Sequence, residues 1–160
     1  MRSTYTLLYI CGLFLGVLLM LTACHEDTVY HHFEQPSGDG WDRSDTLRFE
    51  VPSIAADGNY QVALHVRTDV SYPYRNLSVV VEQTLMPQQQ VRRDTVNCQL
   101  VDKRGMRTGS GVSQFQYSFP MRQFLLHKKQ TVRFAVFHCM KLEVLPGVMD
   151  VGIRISDDKK

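Results

Sequence analysis

Cys-x-x-Cys pairs, a His-Glu-x-x-His run and a Gly-x-Ser-x-Gly elbow are all missing from this 160-residue chain. Their absence removes the usual sequence signs of a zinc or redox site, a metalloprotease and an α/β-hydrolase. Gly105-Met106-Arg107-Thr108-Gly109-Ser110-Gly111 comes nearest to a phosphate-binding loop. It lacks the Gly-Lys-Ser/Thr ending, and no helix pattern follows to offer N-terminal amides, so it is expected to be a flexible connection between strands. Charge of one sign is also scarce: 18 Lys and Arg oppose 16 Asp and Glu. That balance gives no argument for a nucleic-acid partner. Lys103, Arg104 and Arg107, with Arg92 and Arg93, are expected to solvate loops and protect sheet edges, the alternative being a basic edge that faces anionic lipopolysaccharide or phospholipid. The six histidines lack metal-ligand spacing, so neither a metal nor another cofactor is expected. A glycosidase needs only two well-placed carboxylates, but the acidic residues lie mainly in turns and strand ends, and no catalytic residue is assigned.

Long apolar runs are confined to the N-terminus. Arg2 precedes a hydrophobic stretch from Tyr5 to Leu21, which closes on Leu21-Thr22-Ala23-Cys24. A positive end, an apolar middle and small residues before a cysteine describe a bacterial secretory signal. The close is similar to the lipobox of bacterial lipoproteins. That similarity implies diacylglycerol on the Cys24 sulfur, cleavage before it and acylation of the new N-terminus, a stable multi-chain anchor. An uncleaved spanning helix is the rival. Its 18 residues, Tyr5 to Thr22, sit at the lower limit for a bilayer, and His25-Glu26-Asp27 is not the basic flank such a helix carries.

Cysteine is then nearly exhausted. Cys11 leaves with the signal and Cys24 carries lipid, so only Cys98 and Cys139 remain in a compartment where disulfides persist. They are a candidate disulfide, set against the reading as two small buried apolar residues, which is the expectation.

What the chain does have is alternation. Leu47, Phe49 and Val51 put apolar side chains on one face of a strand, as do Tyr60, Val62, Leu64 and Val66. The same holds for Leu77, Val79 and Val81, for Val96, Cys98 and Leu100, and for Phe115, Tyr117 and Phe119. Val132, Phe134 and Val136, then Val151, Ile153 and Ile155, complete seven runs. Val80, opposite its neighbours, suggests burial from both sides. Asp57-Gly58-Asn59, Pro87 to Gln90, Arg104-Gly105 and Pro146-Gly147 are turn material between them. Pro120 to Lys128 reads as a helical turn or two, with Met121, Phe124 and Leu125 at i, i+3 and i+4. The pattern predicts an all-β fold: a single jelly-roll-like β-sandwich of about seven strands over 45–157, after a signal peptide (1–23) and a lipidated N-terminus and tether (24–44).

The aromatics mark a candidate surface. Trp41, the sole tryptophan, is expected to plug one end of the sandwich. Tyr72-Pro73-Tyr74-Arg75-Asn76 sets two phenols, a guanidinium and an amide on a Pro-shaped approach to a strand. Tyr72, biased to an extended backbone by Pro73, is expected to face inward. Tyr74, Arg75 and Asn76 are the candidate partner-binding residues.

Taken together, the lipobox at Cys24, Gly40-Trp41 with Asp45-Thr46-Leu47 and Phe49, Arg67, Tyr72 to Leu77, Asp94-Thr95-Val96, Asp102 with Gly105, Gly109 and Gly111, and Leu145 to Gly152 resemble the gliding-motility lipoprotein GldH family of Bacteroidetes. The chain departs from that pattern at Met106-Arg107 and at His138 to Lys141. The resemblance implies a non-enzymatic, outer-membrane accessory lipoprotein of the gliding and type IX secretion machinery, with the membrane and other envelope proteins as partners. Outer-membrane placement accords with the absence of Asp after Cys24, and Glu26-Asp27 resembles a surface-export signal. The alternative is a surface glycan-binding or glycan-processing module, because sandwiches host both.

Overall fold

A computed structural model of the chain describes residues 28–158, so the signal peptide and Cys24 lie outside the described residues. Ten strands follow one another: β1 (Thr28–Glu34), β2 (Trp41–Asp42), β3 (Leu47–Val51), β4 (Gly58–Asp69), β5 (Asn76–Met86), β6 (Gln90–Gln99), β7 (Gln114–Leu126), β8 (Thr131–His138), β9 (Val144–Leu145) and β10 (Val148–Asp157). One four-stranded sheet runs β1-β10-β4-β7, the other β3-β8-β5-β6, and β2 pairs with β9 separately. All pairings are antiparallel. Apart from the β5–β6 hairpin and the short β2 and β9, successive strands alternate between the two large sheets. That winding is the jelly roll.

The seven alternating runs each lie within or beside a strand of this sandwich. Inward positions of β4 (Tyr60, Val62, Leu64, Val66) and β10 (Val151, Ile153, Ile155) are almost wholly buried, and they face Leu47, Phe49, Leu77, Val79 and Phe134 of the other sheet. Burying one such aliphatic side chain stabilises the fold by about 1.5–3 kcal/mol. Val80 is only half-buried, because the outer face of β5 is not covered by a further layer.

Two expectations are corrected. The span expected as tether contains an edge strand, β1, which pairs with β10 from Thr28 to Glu34. His31 and His32 hide it from a reading based on apolar alternation. The helical turn expected at Pro120 to Lys128 is the second half of β7. Pro120 is tolerated because β7 is a sheet edge, where a missing N–H breaks no ladder bond. Phe124 and Leu126 are buried while Leu125 between them is exposed, which is strand periodicity.

Candidate functional site

The Tyr72–Asn76 turn links β4 to β5 at one end of the sandwich. Tyr72 is buried and its hydroxyl donates to the Asn76 carbonyl at 3.0 Å. Burial raises its phenol pKa, with smaller contributions from Cys98 and Tyr74. The Tyr74 ring meets Tyr72 edge-on, with centroids 5.6 Å apart. Tyr74 is itself half-buried and, with Cys139, Met140, Lys141, Leu142 and Leu145, lines a groove of about 300 Å³. Arg75 and Asn76 are exposed. The Arg75 guanidinium donates to the Asp102 carbonyl, and its own carbonyl accepts from Leu100 and Val101 at 2.9 and 3.1 Å. Arg75 thus fastens the turn to the loop that follows β6. Tyr72 faces inward, while Tyr74, Arg75 and Asn76 stand along the rim.

That following loop is held by hydrogen bonds of its own. The Asp102 carboxylate accepts the amides of Arg104 and Met106 at 2.8 and 2.9 Å, and these bonds, that from Met106 foremost, lower its pKa. Arg107 donates to the carbonyls of Val70 and Tyr72 and lies 4.7 Å over the Phe115 ring. A basic residue expected to solvate a loop therefore ties it to the turn before β5.

Trp41 plugs the same end, fully buried. Its indole N–H donates to the Asp45 carbonyl at 3.0 Å and its ring packs edge-on against His138 at 5.4 Å. Gly40 before it has no room for a side chain: a Cβ would stand 2.8 Å from the Leu145 carbonyl oxygen. Arg43 donates to the carbonyls of Met140, Lys141 and Leu142 and holds the groove-lining loop in place.

Cys98 and Cys139 are free, and only Cys98 is buried. Cys98 pairs with Leu77 on the far side of β5, whereas Cys139 follows β8 and bonds Ser78 from the near side. Two strand spacings, about 9.5 Å, exceed the roughly 7 Å that a disulfide can bridge between Cα atoms. The expected pair of buried thiols is half right, since Cys139 is on the surface. Among the described residues no group of His, Cys, Asp and Glu is placed to hold a metal ion.

Apolar exposure at this end escaped the reading of the sequence. Val70, Met106, Val112, Leu142 and Val144 are 65, 64, 92, 45 and 47 % exposed; the first four belong to loops at the end of the Tyr72–Asn76 turn and Val144 opens the short β9 there. A valine stranded in the polar run Gly109 to Ser113 was the available signal.

The GldH lipoprotein family model matches residues 28–155, the sandwich to within two residues of its end. The gliding motility lipoprotein GldH of Flavobacterium johnsoniae is 25% identical over 153 residues, covering 91% of this chain and 94% of its own. The GldH homolog of Christiangramia forsetii is 24% identical over 171 residues, with 98% of each chain covered. Among solved structures, a family GH115 4-O-methyl-α-glucuronidase superposes on 86% of this chain and 18% of its own, at 11% identity and a TM-score of 0.45. A likeness at that score carries no argument about function.

Proposed function

Because the chain belongs to the GldH lipoprotein family, we propose that it is a non-enzymatic accessory lipoprotein of the gliding-motility and type IX secretion machinery, anchored in the outer membrane through Cys24. Its membrane-distal end docks another envelope protein. The observation that carries the docking role is the gathering of exposed apolar side chains around Tyr74 and Arg75 at one end of the jelly roll. Aromatic, arginine and apolar groups that already hold fixed positions lose little freedom on binding.

Anchor geometry supports this reading. Thr28 is four steps along the chain from Cys24, and four steps span at most about 14 Å. Thr28 lies at the end of the sandwich opposite the Tyr72–Asn76 turn, since it pairs with Ser156 near the close of β10, while Tyr72 neighbours Gly147 just before β10 begins. The ten residues of β10 span about 33 Å between those ends. The turn therefore stands off the bilayer, available to a partner.

The test is affinity purification of the lipidated protein from membranes, alongside Tyr74→Ala and Arg75→Ala. Recovery of gliding or secretion subunits, lost in both variants, is the expected result. Saturable binding to a polysaccharide with no protein partner would transfer the function to the glycan-binding class. Metabolic labelling with a fatty-acid analogue reads the anchor separately: label should enter the wild type and not Cys24→Ser.

A further inference from the structure

The inner face of the β5–β6 hairpin changes character partway along. Leu77, Val79 and Val81 on β5, with Val96 and Cys98 on β6, are apolar and face the core. Beyond Val81 the same face carries Gln83 and then Leu85 on β5, opposite Asp94, Arg92 and Gln90 on β6; Gln83 is buried, Leu85 and Asp94 are half-buried, and Arg92 and Gln90 are exposed. Alternation for burial alone places apolar residues there. A glutamine buried among them at the open side of a sandwich needs another reason.

A cavity of about 330 Å³ lies at this place, walled by Gln83, Leu85, Gln90, Val91, Arg92 and Phe124. That size is at the lower end of the range for small-ligand pockets. Gln83 is 4% exposed, and its Oε1 is enclosed with no hydrogen-bond partner. A buried acceptor left unsatisfied costs stability, so it asks for a donor from outside the chain. Arg92 is the only charged group in the wall; Asp94, one inward position further on, forms no part of it. The guanidinium lies 5.9 Å from the centre of the Phe124 ring, at the outer limit of a cation–π contact, and is free to turn to an anion. Besides the exposed Gln90 amide, the site therefore offers one buried unpartnered acceptor and one cation, and fits a group carrying a hydrogen-bond donor close to an anion.

Position names the source. Gln123 pairs with Gln61, Gln61 with Ser156 and Ser156 with Thr28, so the cavity's Phe124 wall stands at the level where the chain enters the sandwich. Val91 in the cavity wall, and Leu125 next to Phe124 along β7, are 58 and 60% exposed. Lys128 and Lys129 follow on the same end, while neighbouring Asp57 is taken up by the Lys128 amide and His127. We propose that the cleft seats a phosphoethanolamine headgroup of the bilayer that anchors the chain, its phosphate on Arg92 and its ammonium on Gln83 Oε1, with Val91 and Leu125 dipping into the interface. This rests on the anchoring at Cys24, which brings this end within about 14 Å of the lipid.

The choice of headgroup is testable because phosphatidylcholine carries the same phosphate but no N–H donor. The mature chain from position 24, carrying Cys24→Ser and exported behind an ordinary cleavable signal, is floated with three kinds of vesicle. These are phosphatidylcholine alone and its equal mixtures with phosphatidylethanolamine or phosphatidylglycerol. Binding to the phosphatidylethanolamine mixture should exceed that to either other vesicle, and Arg92→Gln should weaken it about tenfold, as loss of a charge-assisted contact does. Gln83→Leu should remove the preference for phosphatidylethanolamine over phosphatidylcholine while leaving the melting temperature unchanged or raised. Equal binding to all three vesicles, or stronger binding to phosphatidylglycerol, overturns the proposal. So does saturable binding of free phosphoethanolamine with no flotation, which would make the ligand a soluble one. Fatty-acid labelling of the wild type reports the anchor independently, so a failed cleft and a failed anchor give different results.

Discussion

Gly147 and Tyr72 stand backbone against backbone: a Cβ on Gly147 would lie 2.4 Å from the Tyr72 amide nitrogen. The same atom would meet the Asp69 carboxylate and the Ser71 hydroxyl at 2.8 Å each, and Gly147 holds φ at 74°. The Asp69 carboxylate accepts the Ser71 amide and hydroxyl at 2.7 and 2.6 Å, which lowers its pKa. The turn before β5 is thus seated directly on the turn before β10. Gly147→Ala should cost about 2–4 kcal/mol, combining left-handed backbone strain with the displaced Tyr72 segment. Urea unfolding measures it, and a loss below 1 kcal/mol would show that the two turns part easily.

The three side chains of the Tyr72–Arg75 turn should separate by role. Tyr72→Ala should cost about 3 kcal/mol, as truncation of a buried large aromatic does. Tyr72→Phe should cost about 1 kcal/mol, from loss of the 3.0 Å bond to the Asn76 carbonyl. Tyr74→Ala and Arg75→Ala should change thermal stability much less and weaken partner capture. Equal destabilisation by Tyr72→Ala, Tyr74→Ala and Arg75→Ala would reduce the segment to core and leave docking unsupported.

Strand periodicity made most of the sandwich legible, because each central strand has one buried face and alternation records it. The failures share a cause. β1 and β7 are edge strands, where one side of the ladder is open and the demand for apolar residues or for every N–H is relaxed. His31-His32 and Pro120 lie on two of the four edges of these sheets. For the site, Tyr72 was readable as inward because its neighbour Pro73 fixes the backbone. The partners of Arg75, Arg43 and Arg107 were not readable. Each guanidinium reaches carbonyls distant in sequence, Asp102, Met140 to Leu142 and Val70 with Tyr72 respectively, and long-range bonds to carbonyls leave no mark in a side-chain pattern. The apolar exposure of Met106 and Leu142 was hidden similarly, since only the folded loops show which side chains lack cover.

The two cysteines outside the lipobox should differ sharply in reactivity. Thiolate is the reactive form, and burial pushes the Cys98 thiol up to about 12, whereas Cys139 is exposed beside the Tyr74 groove. In the folded protein a maleimide should label Cys139 and spare Cys98, which reacts only after unfolding. Mass spectrometry of the labelled peptides decides it. Prompt labelling of Cys98 would mean that β6 opens readily.

His65 should make stability depend on acidity. It sits on the outer face of the first sheet, where the rings of His31 and Phe33 cover it at 5.0 and 6.0 Å. Arg67 caps that cluster, 3.9 Å over the Phe33 ring. Neither ring nitrogen of His65 has a hydrogen-bond partner, and the residue is 5% exposed. Desolvation, then the charges of His31, Arg154 and Arg67, hold its pKa down to about 4. Because the unfolded chain takes up a proton near pH 6.5, the folded state is at its most stable above that pH. Stability should fall as the medium is acidified from about 6.5 towards 4, and this histidine adds nothing further below that, where both states carry the proton. The size is on the order of 1–2 kcal/mol, after allowance for solvent screening at the sheet surface. Urea unfolding at several pH values should show the decline in the wild type, and His65→Leu should flatten it. A decline equally steep in His65→Leu would assign it to other groups, but not to Asp150, whose carboxyl is raised by burial in spite of the neighbouring Arg67. A group with a raised carboxyl pKa takes up its proton sooner in the folded state, so acid stabilises Asp150 where it destabilises His65. Opposite slopes therefore tell the two apart: the decline belongs to the histidine, and its removal should expose the gain from the aspartate.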